Sequence, residues 1–260
     1  MKKIILLAFA LFIQQAVISQ TKIDASDILE DIKNGKDVVL KNVTIDGVLD
    51  LTYMDEALEK LPKKKKRSWW GNNNYSNKIE KIIDVNLSFE SCTFNEDVLA
   101  YIPDEDSGYT FTASFEKEAI FKNCKFEGKA MFKYSTFEKN SDFSGSGFQE
   151  DSTFKYAKFD RDISFENTRF VEIATFKYAK FDNNVSFANS IFEDSAVFKY
   201  TNFYDGVSFE NTNFEEDLNI KYMKVRGDFN ISKMKVAYSI DSKYTKINGK
   251  DFNKYLLDRN

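Results

Sequence analysis

The side chains that could carry out chemistry in this sequence are few. The chain contains no histidine, which is the commonest general base and metal ligand. Two cysteines cannot form a zinc site on their own, and no serine or cysteine lies in a recognisable nucleophile elbow. The sequence has no glycine-rich phosphate-binding loop. We therefore expect a protein that is not an enzyme and that uses no metal and no cofactor.

One acidic row is the remaining place for acid–base chemistry. Glu150, Glu172, Asp194 and Glu216 recur at one fixed interval along the chain. Neighbouring carboxylates could bind a cation or act as acid and base. Acidic residues in turns are, however, usually explained by their solvation. An enzyme with this acidic corner as its site is the weakest of our hypotheses.

A second row combines positive charge with aromatic rings and is a candidate binding face. Lys-Tyr pairs recur at the same interval as the acids, at Lys133, Tyr134, Lys155, Tyr156, Lys177, Tyr178, Lys199, Tyr200, Lys221 and Tyr222. Lysines stacked at ~4.8 Å repel one another unless a partner or a neighbouring acid neutralises them. Aromatic rows suit sugars, polyanions or protein surfaces. The alternative is a solvated row of tyrosines and lysine stems that was copied with the repeat.

A basic segment with two tryptophans is a candidate loop for binding anions or a membrane surface. It contains Lys63, Lys64, Lys65, Lys66, Arg67, Trp69 and Trp70. Five cations attract an anionic lipid headgroup or glycan, and indole rings anchor at interfaces. Nucleic-acid binding has the same signature but is disfavoured in an exported protein. The alternative is a solvated loop whose tryptophans pack against the rest of the chain.

These residues must be positioned by a regular repeat of phenylalanine. Nineteen phenylalanines between Phe115 and Phe214 are spaced alternately six and five residues apart, and Ile220, Val225, Ile231 and Val236 continue the spacing. Steps of five and six residues rotate by about 140° and 120° in an α-helix, so no helical face would collect the rings. The composition of the repeat, rich in Phe, Tyr, Thr, Ser, Asn and Asp, suits short strands and turns.

The position two residues before each phenylalanine is small or β-branched. In extended backbone, residues i−2 and i point to the same side, so each unit places one small and one large side chain inward. The outward residues repeat every 22 positions, which indicates two 11-residue units and four short strands per coil.

This pattern resembles the pentapeptide-repeat family, whose unit has a small residue at i−2 and Leu or Phe at i. The resemblance runs, with interruptions, from Val38 to Val236. It implies an all-β fold, a right-handed quadrilateral parallel β-helix. The sequence departs from the family by alternating five with six residues and by using phenylalanine almost throughout. Because the period of a repeat sets the size of its structural unit, we expect coils of about 22 residues.

The N-terminus has the pattern of a signal peptide. Lys2 and Lys3 precede the apolar stretch from Ile4 to Ile13, and Val17-Ile18-Ser19 forms a plausible cleavage site. We expect export, to the periplasm or the exterior, after cleavage of residues 1–19. An uncleaved anchor is disfavoured because the stretch is shorter than the ~20 residues of a spanning helix. Some members of the family mimic DNA, but a mature chain of net charge −6 with one basic face argues against that activity.

The remaining chain divides into a solenoid and two caps. We expect an N-terminal helical cap over 20–37, with a helix from Asp24 to Lys33, and a β-helix over 38–236 with insertions near 53–78 and 101–110. A C-terminal cap over 237–260 would contain a helix from Gly249 to Asp258. Caps are needed because an open β-helix end exposes unpaired backbone groups.

Cys92 and Cys124 occupy equivalent inward positions on adjacent predicted coils. Export would permit a disulfide. Buried free thiols are favoured, because parallel strands place two side chains in a geometry that is poor for bridging.

Two functional hypotheses follow from the sequence. The first is a non-enzymatic exported scaffold that binds another envelope or extracellular protein through the Lys-Tyr row. The second is a binder of anionic envelope glycan or lipid through the basic tryptophan segment.

Overall fold

The computed structural model of the chain describes residues 21–61 and 77–257. Their short strands form four parallel sheets that are built up coil by coil. Each coil passes through the four sheets in the same order, and we number these sheets as faces 1 to 4. The architecture is the right-handed quadrilateral parallel β-helix that the repeat predicts, with short helices at its ends.

Faces 1 and 2 come first in each coil. Face 1 consists of Val38–Lys41, Leu87–Glu90, Ala119–Lys122, Ser141–Asp142, Ile163–Ser164, Val185–Ser186, Val207–Ser208 and Phe229–Asn230. Face 2 consists of Thr21–Asp24, Val43–Asp46, Thr93–Phe94, Lys125–Phe126, Gly147–Phe148, Arg169–Phe170, Ile191–Phe192, Asn213–Phe214 and Lys235–Val236.

Faces 3 and 4 complete each coil. Face 3 consists of Leu49–Asp50, Val98–Leu99, Ala130–Met131, Ser152–Thr153, Ala174–Thr175, Ala196–Val197, Leu218–Asn219 and Ile240–Asp241. Face 4 consists of Lys78–Ile83, Tyr109–Phe115, Thr136–Phe137, Lys158–Phe159, Lys180–Phe181, Asn202–Phe203, Lys224–Val225, Lys246–Ile247 and Lys250–Asp251. Tyr101–Asp104 pairs antiparallel with Tyr109–Phe115 at the edge of this face.

The register between coils confirms the predicted period. From Phe115 to Ile247 each strand pairs with the strand two 11-residue units later, as in Phe115 with Phe137, and Lys250–Asp251 then pairs antiparallel with Lys246–Ile247. In the first coils the offset is larger, since Leu49 pairs with Val98 and Phe89 with Phe121. The extra residues of both coils lie at one corner, between faces 3 and 4. Helix α2, Met54–Lys60, leaves from this corner in the first coil, and the hairpin starting at Tyr101 leaves from it in the second.

Phenylalanine rings fill the interior in four columns. Equivalent rings of successive coils stack with centroids 4.6–5.3 Å apart, as in Phe126 with Phe148 and Phe143 with Phe165. Rings of different columns meet edge to face, as in Phe165 with Phe176. All nineteen phenylalanines of the repeat are at most 2% exposed. Burying each ring contributes roughly 1.5–3 kcal/mol, so the columns supply the main driving force for folding.

Small residues at the inward positions add hydrogen bonds between coils. Thr168 Oγ1 donates to the carbonyl oxygen of Phe143 at 3.1 Å, and Ser190 Oγ donates to that of Phe165 at 2.6 Å. The same contact is made by Ser146, Thr201 and Thr212. These buried hydroxyls are thereby satisfied, and each ties its coil to the preceding one.

The N-terminal end is covered by a helix, as predicted. Helix α1, Ala25–Lys33, begins at Asp24, whose Oδ1 accepts a hydrogen bond from Ser26 N at 2.8 Å. Its apolar face buries Ile28 and Ile32 against the first coil. The strand Thr21–Asp24, which we did not predict, precedes the helix and adds to face 2.

The C-terminal end differs from the prediction in its extent. The parallel pairing does not stop at Val236, since Ile240–Asp241 and Lys246–Ile247 add one strand each to faces 3 and 4 and complete the last coil. Helix α3 is Phe252–Leu257, shorter than the predicted span, and Phe252 packs against Phe229 with centroids 6.3 Å apart. In the described part of the chain, no helix has the length and apolarity required to cross a membrane.

We predict that Phe165→Ala lowers the free energy of unfolding by about 3–5 kcal/mol. Removal of this ring leaves a cavity between the two rings that stack on it, Phe143 and Phe187. Urea unfolding followed by circular dichroism measures the loss. The adjacent outward variant Glu166→Ala serves as the control and should change stability by no more than about 0.5 kcal/mol. A loss below about 1 kcal/mol for Phe165→Ala would contradict the assignment of this ring to the core.

Candidate functional site

The recurring Lys-Tyr pairs lie together at the corner between faces 3 and 4. In each coil the lysine follows the last inward residue of face 3, and the tyrosine follows the lysine. In a representative coil, Ala179 N donates to the carbonyl oxygen of Phe176 at 2.9 Å, and Tyr178 between them has φ 62°. A four-residue turn closed in this way with a positive φ at its third residue is of type II. We call the row of these residues in successive coils the Lys–Tyr ladder.

The tyrosines adopt a backbone conformation that costs energy. From Tyr134 to Tyr244 the six tyrosines of this row have φ of 59–66°. The left-handed region costs roughly 1–2 kcal/mol per residue when the side chain is neither glycine nor asparagine. The corner between faces 1 and 2 makes the same turn, with Asn or Gly in the five coils from Asn123 to Asn211 and with Ser91 and Lys233 in the coils on either side. The strain at the tyrosine corner recurs in six coils without Asn or Gly, so it must be offset by what the tyrosines gain.

Stacking of the phenol rings provides that gain. From Tyr134 to Tyr244 successive centroids are 4.9, 4.7, 4.7, 4.5 and 4.7 Å apart, and the planes differ by 2–24°. An aromatic pair contributes about 0.5–1.5 kcal/mol beyond its buried area. The rings cover one another along the axis of the β-helix. The row therefore presents mainly ring edges and hydroxyls, and an uncovered ring face lies at its C-terminal end. Its role as a binding face remains a prediction.

The lysines of the ladder lie beside the rings and carry uncompensated charge. Lys155 Nζ lies 5.4 Å from the centroid of Tyr156, and Lys177 Nζ lies 5.3 Å from that of Tyr178. Within the described residues no ladder lysine makes an ion pair. Desolvation lowers the pKa of Lys155, and the charges of Lys133 and Lys177 lower it further.

More lysines lie next to the ladder on face 4. They occupy the outward position two residues after the tyrosine in four of the coils, at Lys158, Lys180, Lys224 and Lys246. Lys158 pairs with Asp160 at 2.7 Å, and Lys246 pairs with Asp251 at 2.7 Å. Acidic neighbours thus neutralise part of the positive charge of this second row. The ladder carries more uncompensated positive charge than the row beside it.

The comparison with protein families identifies the repeat. The family model "Pentapeptide repeats (9 copies)" matches residues 111–158 and 176–223. These two stretches are pentapeptide repeats, as the resemblance of the sequence predicts. No curated protein and no solved structure gave a match. The two matched stretches contain the Lys-Tyr pairs from Lys133 to Tyr222, so the ladder is built on the repeat itself.

Three further tyrosines, which the sequence analysis did not assign to the ladder, lie at the corner between faces 3 and 4. Lys243-Tyr244 continues the ladder one coil after Tyr222, and it was missed because Ser242 interrupts the apolar pattern. Tyr53 occupies the corner in the first coil with φ 52°, and its hydroxyl donates to the carbonyl oxygen of Leu29 in α1 at 2.7 Å. Tyr101 stands at the start of the ladder and accepts a hydrogen bond from Lys133 Nζ at 2.8 Å.

The acidic row lies at the corner between faces 2 and 3, away from the ladder. Glu150, Glu172, Asp194 and Glu216 occupy successive coils there. In the part of the chain that the structure describes, no three His, Cys, Asp or Glu side chains are placed to hold a metal ion. The row is a convex edge, and nothing in its surroundings favours catalysis over solvation.

The two cysteines, Cys92 and Cys124, are free buried thiols on adjacent coils. They occupy the position of the hydroxyls that join coils, since Cys92 Sγ lies 3.5 Å from the carbonyl oxygen of Leu40 and Cys124 Sγ 3.4 Å from that of Phe89. A hydrogen bond with Cys124 lowers the pKa of Cys92, while Cys92 and burial raise the pKa of Cys124. Their role in this geometry is that of weak inter-coil donors.

The signal peptide of residues 1–19 and the basic segment from Lys63 to Trp70 lie outside the described residues and remain predictions. The flanking residues of the basic segment are described. Leu61 follows α2, and Lys78 begins a strand of face 4. The described chain leaves the corner of the ladder through α2 before this segment and re-enters the β-helix on face 4 after it.

We predict that Tyr178→Ala is less stable than Tyr178→Gly by about 1 kcal/mol, since both variants lose the ring but only glycine relieves the left-handed turn. Urea unfolding of the two variants measures the difference. Asn189→Ala and Asn189→Gly, at the corner between faces 1 and 2, form the matched control pair and should show the same order. Equal stability of the two Tyr178 variants would contradict the strain that we assign to the tyrosine corner.

Proposed function

We propose that this pentapeptide-repeat protein is a non-enzymatic β-helical scaffold that binds an acidic surface of another protein through the Lys–Tyr ladder. The observation that carries the proposal is a row of lysines without counter-charge, fixed on a corner whose tyrosines oppose the backbone preference. Repeat duplication alone explains why the residues recur. It does not explain why the ladder lysines lack the acidic neighbours that Lys158 and Lys246 have on face 4.

The rigidity of the coils suits this role. The lysine stems lie beside the stacked rings, and the paired coils fix the spacing of the stems before a partner arrives. Little backbone entropy is then lost on binding, which favours affinity. The hydroxyls of the tyrosines add donors for the same carboxylates.

The partner that we propose is a protein of the envelope or the exterior, because the N-terminal sequence predicts export. Binding of anionic glycan or lipid by the segment from Lys63 to Trp70 is the second candidate. Its support is the basic and aromatic composition of that segment, together with its attachment at the ladder corner.

The test is capture of partners from an envelope extract with a reversed-ladder variant. This variant changes five lysines to Glu, at Lys133, Lys155, Lys177, Lys199 and Lys221. Exposed ion pairs contribute roughly 0.2–1 kcal/mol each, so reversal of five should weaken capture of the true partner on the order of tenfold or more. Quantitative mass spectrometry of the captured proteins measures the change.

The matched control reverses five exposed lysines away from the ladder and so changes the net charge equally, at Lys117, Lys122, Lys139, Lys233 and Lys235. It should retain the partner. If both variants lose the partner, its binding depends only on the net charge of the protein. If both variants retain the partner, the ladder is not the binding surface. A third variant, which lacks residues 63–70, tests the second candidate function. Binding of anionic glycan or lipid by this segment predicts that only the third variant loses binding.

A further inference from the structure

We infer that the element recognised by the ladder is an acidic α-helix that lies parallel to the axis of the β-helix. The inference rests on the proposed function and adds the conformation and the charge pattern of the partner. Three features of the described residues carry it. They are the spacing of the ladder, the closed faces of its rings, and the way the same corner already contacts helix α1 in the first coil.

The spacing of the ladder fits a helix better than a strand. Its tyrosine centroids repeat at 4.5–4.9 Å, and its lysines follow the same coils. One turn of an α-helix rises about 5.4 Å, so carboxylates at i, i+3 or i+4, and i+7 form a row of nearly equal spacing. Side chains on one side of a β-strand are about 6.6–6.8 Å apart. A strand would lose register with the lysines within two coils, whereas flexible lysine ends can follow the helix.

The length of the ladder sets the length of the partner segment. From Tyr134 to Tyr244 there are five intervals of ~4.8 Å, which span roughly 24 Å. At about 1.5 Å per residue this distance corresponds to about 16 helical residues, or between four and five turns. A segment of this length can place five carboxylates along the six lysines of the ladder, from Lys133 to Lys243.

The orientation of the rings disfavours a sugar chain as the ligand. Sugars bind to aromatic side chains through the ring faces, and neighbouring tyrosines cover these faces from Tyr134 to Tyr222. What remains is a line of ammonium groups and phenol hydroxyls. These are donors and positive charges without acceptor carboxylates, and they match a row of Asp or Glu side chains.

In the first coil a tyrosine of this corner contacts α1, the helix that covers the N-terminal end of the β-helix. Tyr53 has the same left-handed backbone as the ladder tyrosines, and its hydroxyl donates to the main-chain carbonyl of Leu29 in helix α1. Lys81 Nζ lies 5.0 Å from the centroid of its ring. An intramolecular helix thus already contacts a tyrosine of this corner that has a lysine beside it.

The hairpin beginning at Tyr101 limits the ladder at its N-terminal end. The ring of Tyr101 is tilted by 52° from that of Tyr134, and its hydroxyl holds Lys133. The parallel stack therefore begins at Tyr134. A helix on the ladder would extend from this hairpin toward Tyr244, whose side chain is 53% exposed.

Binding of synthetic peptides to the whole chain tests the inference. The probe is a fluorescent, alanine-based peptide of about 16 residues, stapled into a helix on one side and carrying Glu at successive i+3 and i+4 positions on the other. The first control peptide is stapled in the same way, with the same glutamates distributed around the helix. The second carries the same glutamates in an unstapled chain broken by proline. An alginate oligosaccharide is the glycan probe.

We expect the striped helix to bind at least tenfold more tightly than either control peptide at low salt, and to weaken as salt is raised. Single Lys→Gln changes in the ladder should each weaken it roughly 1.4- to 5-fold. The reversed-ladder variant should lose binding while the matched control retains it. Circular dichroism and thermal melting of each variant show whether its coils are intact.

Equal binding of the striped and scattered peptides would overturn the inference, as would tighter binding of the proline-broken peptide or of alginate through the ladder. If either result occurs while capture of a protein partner still depends on the ladder, the proposed function stands. Only the inference that the partner presents an acidic helix is then rejected. Failure of both experiments would remove the function as well.

Discussion

Pairing of each coil with the next, at one fixed offset from Phe115 onward, is the constraint on which the whole structure depends. A coil with strands of two residues has almost no hydrogen bonds of its own, so its backbone is satisfied only by its neighbours. Stacked phenylalanine columns and buried hydroxyls hold the same offset from inside. The three kinds of contact share one register, and a shift of one residue would turn the rings toward solvent.

The same constraint turns every outward residue into a row. A row at coil spacing is favourable for asparagines that hydrogen-bond along the axis, as Asn211 Nδ2 does to Asn189 Oδ1 at 2.9 Å. It is unfavourable for lysines, whose charges add up. Where acids are placed nearby, as Asp160 is near Lys158, the chain neutralises its own rows. The Lys–Tyr ladder lacks this compensation, and for that reason we interpret it as a surface completed by another molecule.

Much of this architecture could be predicted because the regular spacing of phenylalanine in the sequence determines the coil. The spacing of Phe115 to Phe214 predicted the coil, the inward residues and the rows. Backbone torsions were not accessible in this way, since the pattern does not show that Tyr178 and Asn189 share a left-handed turn. The direction of the ring planes was equally hidden, and with it the closed faces. The end of the last coil was missed because Ser242 places a polar residue at an inward position. Lys243-Tyr244 kept the 22-residue period and could have indicated it.

The most direct measurement of the central claim, that the ladder holds positive charge awaiting a partner, is the titration of Lys155 by NMR. Burial and the charges of Lys133 and Lys177 predict a pKa below the ordinary lysine value in the free protein. Addition of the striped acidic helix should raise that pKa, because its carboxylates favour the charged form. An ordinary pKa that the peptide leaves unchanged would contradict the account.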